Sequence, residues 1–424
     1  MRLIKGLLTL LIPLLILTAG VELSLRILPQ VIPLPLLQHF QPDLRQRIAE
    51  DRGLPTTRAA MTVERDDGGP LLRKFRPETE VNWTFYDEGA IESIVTDDMG
   101  FCNPPAASYD RVPIDVIAIG DSFTWCHTVP PATSWPAVLS GLSGRSVYNL
   151  GTPAIGLYEY LVILRRFGLS RQPQVVVMNV YEGNDLRDAM RYWAYRNGRQ
   201  HVAAERDCSG LLCRALGERS YVYNLAVAVN IEYLQPLFAA SGPAVDAAFE
   251  AVDTDDLSFY YSLDFGGEPV PFNLRNADRD EIAVAKAMAQ GALSPTLFDE
   301  ALEEFVSLAA EHGFVPVVAY TPSAHTAYAD YVRFDDPDLA PLMAGMSTTL
   351  RDYFSASGER LGYFFLDLTG PLREVIAAQG PERAQRLLYG PVSIHYSVHG
   401  HRRVAEAVAD FLGELPVSKE PDGP

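Results

Sequence analysis

Hydrophobic positions along this chain fall into two periods, and the alternation between them lays out a fold. Short apolar runs, of the kind that form strands buried on both faces, occur at 115–120, 146–150, 174–181, 315–320 and 363–368. Between them apolar residues recur at helical spacing. Trp135, Val138, Leu139 and Leu142 predict a helix closing near Gly144, and further helices are predicted over 157–167, 297–311 and 339–357. In the last helix, 400–412, Val404, Ala405, Val408, Phe411 and Leu412 share one face. Strands alternating with helices imply right-handed crossovers and a mostly parallel, five-stranded sheet in an α/β fold of three layers, α/β/α.

Two stretches depart from that rhythm. Residues 81–101 alternate around Trp83 and Tyr86 with a turn at Asp97–Gly100, which predicts a small β-hairpin leading into the main domain. Residues from about 191 to 292 read as a helical or irregular insertion, a lid or substrate-binding cap. It contains a helical segment, 221–237, and an acidic, aromatic stretch, 253–265. The segment 29–70 is rich in proline and charge and reads as a stalk. The expected plan is an N-terminal segment (1–28), a stalk and β lead-in (29–112), an α/β domain (113–413) and a polar tail (414–424).

Charge changes the picture at the N-terminus. Arg2 and Lys5 precede a run from Gly6 to Val21 with no charged residue, the pattern of a secretory signal or a short membrane anchor. The run falls short of the roughly 20 residues that cross a bilayer. Thr18-Ala19-Gly20 offers small residues for cleavage, but apolar character resumes at Leu23, Leu25, Ile27 and Leu28, which favours a retained anchor. The positive-inside bias places the rest of the chain outside the cytoplasm, on the periplasmic or cell-surface side, or secreted if the segment is cleaved. Across 424 residues the formal net charge is -19, which excludes a nucleic-acid backbone as partner. Four cysteines suit an exported chain. Cys208 and Cys213 bracket a short loop, and Cys102 and Cys126 could tie the lead-in to the turn after the first sheet strand, but sequence does not choose among the pairings. No Cys-x-x-Cys or His-x-x-x-His spacing accompanies them, so neither a metal site nor a cofactor is expected.

The candidate chemistry lies at strand ends. The run Val116–Gly120 stops at Asp121-Ser122, delivering a serine to the carboxyl edge of the sheet, with Asp121 as an N-cap-like acceptor at a helix start. Gly151 and Asn184 close the next two strands, and His395 stands just ahead of the last helix. Acyl transfer needs such a set. A hydroxyl nucleophile requires a base, usually a neutral imidazole, and the tetrahedral oxyanion requires converging donors. The expected donors are the N–H groups of Ser122 and Gly151 and the Asn184 side-chain amide.

At these residues the chain resembles the SGNH (GDSL-type) hydrolase family. The matches are Gly120-Asp121-Ser122, Asn149-Leu150-Gly151, Gly183-Asn184-Asp185 and His395, in order, over 114–412 apart from the insertion. The resemblance implies flavodoxin-like layering, with Ser122 as nucleophile and His395 as base. The N-terminal segment and Leu366-Asp367-Leu368-Thr369 look like the exported subgroup of that family that modifies O-acyl groups on cell-envelope or secreted polysaccharides. It thus implies an ester hydrolase or O-acyltransferase whose partners are an acylated carbohydrate or other small ester and, through the N-terminal helix, a membrane. A lipase or thioesterase is a further reading; oligomeric state is not implied.

One departure matters. The family places an aspartate two or three residues before its histidine, where this chain has Ser393 and Val392. Three readings follow: a Ser–His dyad oriented by a backbone carbonyl, a carboxylate from elsewhere such as Asp367 or the acidic insertion, or a glycan-binding or assembly protein without turnover. The remaining histidines take blander expectations: His127 a structural place beside Cys126, and His399 and His401 surface or cap positions. Asp185 is expected to bond neighbouring backbone.

Overall fold

The structure is a computed structural model that describes residues 2–37, 40, 41, 44, 45, 47, 48, 61–65, 71–81, 94–105, 107, 110–127, 129–196, 216, 217, 219–230, 234, 261–272, 279–380, 384–391 and 394–415. The chain divides into two compact units, 1–63 with 203–241, and 64–202 with 242–424.

In the first unit the N-terminal segment forms one helix, Arg2–Ile27. Leu25, Ile32, Leu36, Leu37, Phe40, Leu44 and Ile48 pack with Tyr221 and Ala228 of a second helix, Tyr221–Val229. Glu22 accepts hydrogen bonds from the Tyr221 and Val222 N–H groups and from Ser220 Oγ. Part of the expected insertion therefore packs with the N-terminal segment. Among the described residues, no helix is long and apolar enough to cross a membrane.

The second unit is built on five parallel strands: β1 Val116–Gly120, β2 Val147–Asn149, β3 Val175–Tyr181, β4 Val315–Thr321 and β5 Phe364–Asp367. Their order is β5-β4-β3-β1-β2, with Ala118 opposite both Val177 and Asn149, and Val317 opposite Val177. Every residue of β1, β2 and β3 is buried, which is why these strands read as runs that are apolar apart from Asn149 and Asn179. The helices are α1 Trp135–Ser143, α2 Leu157–Ile163, α3 Asp185–Arg196, α4 Arg279–Ala289, α5 Asp299–His312, α6 Leu339–Leu361, α7 Thr369–Ala378 and α8 Val398–Glu414. α8 packs on α1 and α7, while α5 packs on α2 and α6, giving the α/β/α layering. From β1 the chain steps outward to β2, then crosses back to β3 on the other side. The gap between β1 and β3 is thus the switch point at which open α/β sheets take their ligands.

Three local features differ from expectation. The helix over 157–167 is regular only to Ile163 and continues as a wider π turn, Leu164–Gly168. It shows no single apolar stripe because Leu157, Tyr158, Tyr160, Leu161, Val162 and Ile163 are all buried. A three-stranded antiparallel sheet joins Tyr261–Leu263 to Val270–Phe272 on one side and Val332–Phe334 on the other. Its third strand comes from beyond β4, so no local period announces it. In the lead-in, Glu80–Val81 pairs antiparallel with Ile94–Val95, while Trp83, Tyr86, the Cys208 and Cys213 pair, the 253–260 stretch and the end of the tail lie outside the described residues.

Candidate active site

The chain leaves β1 through a compact turn, Asp121–His127; a short 3-10 turn, Pro131–Thr133, follows, and among the described residues the next α-helix starts at Trp135. The side chain of Asp121 still caps that turn: Oδ1 accepts the Phe123 N–H at 2.9 Å, and its carbonyl accepts those of Thr124 and Trp125. Other elements pin the turn from outside. Asn149 Nδ2 donates to the carbonyls of Thr124 and Cys102, and Asn179 Nδ2 donates to Thr124 Oγ1. Trp125 stacks on Phe75 with ring centroids 4.8 Å apart. A disulfide joins Cys126 to Cys102, which realises one of the bridges the sequence left open.

His395 arrives from the opposite end of the chain. Its carbonyl accepts the Gly390 N–H, Ile394 N–H donates to the Gly390 carbonyl, and Tyr389 and Tyr396 form a bridge across the loop. Ile394 has φ +57°, a left-handed conformation costly for a β-branched residue, immediately before the imidazole. Ser397 Oγ then accepts the N–H groups of His399 and Gly400 and starts α8. The result is a hydrogen bond between His395 Nε2 and Ser122 Oγ at 2.8 Å, joining residues 273 positions apart. Both side chains are half-buried, so the pair is open to a substrate.

The imidazole lies among other rings. His127 stacks on it with centroids 3.7 Å apart and planes 25° from parallel, and Phe123 lies at 4.9 Å. Phe123 in turn stacks on Tyr181 at 3.9 Å. His127 is thus a neighbour of His395 as well as of Cys126. Burial, and then the charges of His395 and His401, hold its imidazole well below its ordinary range. His401 is not a surface or cap residue of its own helix. It is buried, and its Nδ1 accepts the Trp135 N–H at the start of α1, 3.1 Å away. Burial pushes its pKa down to about 3. His399 is exposed, as expected.

The expected oxyanion donors fare unequally. Among the described residues, no acceptor meets the Ser122 N–H. The Gly151 N–H, by contrast, donates to Asn149 Oδ1 at 2.8 Å. Packing accounts for the glycine: a Cβ on Gly151 would fall 2.5 Å from the Trp125 nitrogen, so the missing side chain makes room for the nucleophile turn. Asn184 Nδ2 donates to Asp188 Oδ2 at 2.6 Å and, being an amide, carries a second N–H.

Of the carboxylates that the sequence offered for His395, those in the acidic stretch 253–260 lie outside the described residues, and Asp367 has other partners. Val392 and Ser393 lie outside the described residues. Asp367 accepts Arg351 Nε at 2.6 Å and the Thr369 N–H at 2.9 Å on the edge strand. Three strand spacings, roughly 14 Å, separate that strand from β1. Asp121 is fully buried; burial, and then the charge of Asp188, pushes its carboxyl up to about 7. Its Oδ2 has no hydrogen-bond partner among the described residues. Asp185 accepts the Tyr181 N–H, as expected, and also Tyr160 OH; burial pushes its pKa up. Among the described residues, no group of three or more His, Cys, Asp or Glu side chains is placed to hold a metal ion.

A second buried polar cluster follows β3 and escaped the sequence reading. Glu182 accepts from Tyr320 OH, Thr326 Oγ1 and Ser347 Oγ. Nearby, His325 Nε2 lies 2.9 Å from Glu281 Oε2, and Tyr181 OH donates to the other oxygen of Glu281. A lone His325 and a glutamate inside a helical pattern gave no local signal that they would meet.

No protein-family model matches the chain, and no curated protein matches it. Several solved structures are similar to it. A protein described as a lipolytic member of the G-D-S-L family, from Desulfitobacterium hafniense DCB-2, is 14% identical, with 70% of this chain and 98% of that one covered and a TM-score of 0.34. An acetyl xylan esterase is 12% identical, covering 71% of this chain and 100% of its own, with a TM-score of 0.33. A protein described as an SGNH hydrolase, from Slackia heliotrinireducens, is 14% identical, covering 71% and 99%, with a TM-score of 0.34. At such identities and scores, the likeness carries no argument about substrate or residue roles.

Proposed function

We propose that the chain is a serine-dependent ester hydrolase or O-acyltransferase acting on acyl groups of a cell-envelope or secreted carbohydrate. One observation carries the chemistry: Ser122 Oγ and His395 Nε2 lie 2.8 Å apart at the switch point of a parallel sheet. The carbohydrate substrate rests on the motif resemblance.

In this reading Ser122 Oγ attacks the acyl carbonyl while His395 Nε2 takes its proton. The carbonyl π bond opens to an oxyanion, for which this reading takes the Ser122 and Gly151 N–H groups and the second Asn184 N–H as donors. Collapse of the tetrahedral adduct breaks the ester C–O bond, and the imidazolium returns its proton to the departing alcohol. Water, or a sugar hydroxyl, then attacks acyl-Ser122 with His395 again taking a proton; collapse frees the acid, or the new ester, and restores the Ser122 hydroxyl. The chemistry needs no metal or cofactor.

The location proposed with this chemistry is the outer face of a membrane, held by helix Arg2–Ile27. Its support is the basic pair Arg2 and Lys5 and the exposure of Ile12, Ile16, Leu17, Leu23 and Ile27.

Ser122→Ala is expected to reduce release of p-nitrophenol from p-nitrophenyl acetate by about 10³-fold or more. Unchanged turnover in that variant rejects the assignment. A chain that binds glycan, fails to turn over any acyl ester and takes no fluorophosphonate adduct on Ser122 is instead the non-catalytic binding protein that the absent aspartate suggested.

A further inference from the structure

His395 is held in place by the same turn that carries its partner. Ser122 bonds its Nε2, while His127 and Phe123, on either side of Cys126 and Thr124 in the turn, lie against its ring at 3.7 and 4.9 Å. The geometry points to His127 as a positioning residue. By stacking on His395 it limits the tilt of the ring whose Nε2 meets Ser122. This rests on the reading of Ser122 and His395 as nucleophile and base.

Three observations carry it. The two imidazoles meet face to face, with planes 25° apart, and ring-nitrogen lone pairs lie in the ring planes. The contact is therefore a stack that restricts rotation and tilt, not a pair of ligands converging on one ion. Second, His127 is fixed to the frame of the nucleophile. The disulfide at Cys126 and the Asn149 hydrogen bond to the Thr124 carbonyl anchor the turn on both sides of Trp125, so stack and hydroxyl move as one piece. Third, the ring follows directly on Ile394, whose left-handed backbone fixes the direction in which the loop presents it, and the face it presents is the one His127 covers. Burial also keeps His127 neutral at the pH values where His395 works as a base. A neutral ring does not oppose the imidazolium that forms on its neighbour during acyl transfer.

The test uses the full chain and p-nitrophenyl acetate, with kcat and KM measured separately and thermal melting recorded for each variant. His127→Phe keeps a flat ring; His127→Leu fills the space without one. The expected result is kcat within about threefold of the parent for Phe and reduced about 10²-fold for Leu, with KM unchanged in both, the size of loss that an ångström of misplacement brings. Equal kcat for the two variants overturns the inference, because His127 would then merely fill volume. Rescue by His127→Gln but not by Phe also overturns it, since a hydrogen bond would then do the orienting. Ser122→Ala runs alongside. If it is inactive while His127→Leu matches the parent, only the role of His127 fails; if it is active, the nucleophile assignment itself fails.

Discussion

Two imidazoles stand near the carboxyl edge of the sheet, and they are built in opposite ways. His325 is buried, 2.9 Å from the Glu281 carboxylate, with Tyr181 OH on the far oxygen of that carboxylate and Glu182 close by, held by three hydroxyls. His395 is half-buried and faces a hydroxyl and the flat side of another imidazole, on a loop whose preceding residue is strained. The first has the carboxylate a catalytic triad would use but is closed to a substrate. The second has the nucleophile and the opening. Closed polar groups with partners hold a fold together, whereas a reacting pair must keep part of its hydrogen-bonding capacity for a substrate. Tyr181 joins the two, bonding Glu281 with its hydroxyl and stacking on Phe123 with its ring.

The contrast breaks most readily at His395. His395→Ala is expected to lower p-nitrophenyl acetate turnover by about 10³-fold, while unfolding in urea shows a stability change under about 1 kcal/mol. A large loss of stability would mean that this ring, too, is a structural member. The converse variant, Glu281→Ala, should cost about 3 kcal/mol by removing the buried carboxylate that accepts from Tyr181 OH and lies 2.9 Å from His325 Nε2. Turnover per folded molecule should remain within about tenfold, the allowance for a looser Tyr181–Phe123 stack. If Glu281→Ala abolished turnover in a folded protein, the closed site would belong to the catalytic machinery.

The smallest effect concerns the carboxyl next to the nucleophile. Asp121 has its pKa raised from 3.8 to about 7, chiefly by burial, so between those values the folded chain holds a proton that the unfolded chain has released. Its contribution to stability is present below about pH 4 and is lost as pH rises through about 7. His401 acts in the reverse sense: with its pKa lowered from 6.5 to about 3, its contribution is present above about pH 6.5 and is lost on acidification. Asp121→Asn keeps an acceptor for the Phe123 N–H and removes the titration. Measured by urea unfolding, it should gain between about 2 and 3 kcal/mol relative to the parent between pH 5 and pH 8. A constant difference across that range would mean that Asp121 does not hold its proton in the fold.

Much of this was legible in the residues. The strands β1, β2 and β3 are buried on both faces, so each had to be a largely apolar run, and runs alternating with helical periods leave few topologies besides a parallel sheet with crossovers. Ser122 was singled out because it follows a buried strand and His395 because it stands just ahead of the last helix, and acyl transfer calls for their two side-chain types. What sequence could not carry was anything decided between segments distant in the chain. Whether the Gly151 N–H met Asn149 or a substrate, whether Asp367 faced Arg351 or an imidazole, and which ring His127 touched depended on distances of a few ångströms after packing. Periodicity reports which side of an element is buried, and residue type reports what a group is able to donate or accept. Partners are chosen only when the elements close on one another, and in this chain that closure set a second histidine against the face of the first.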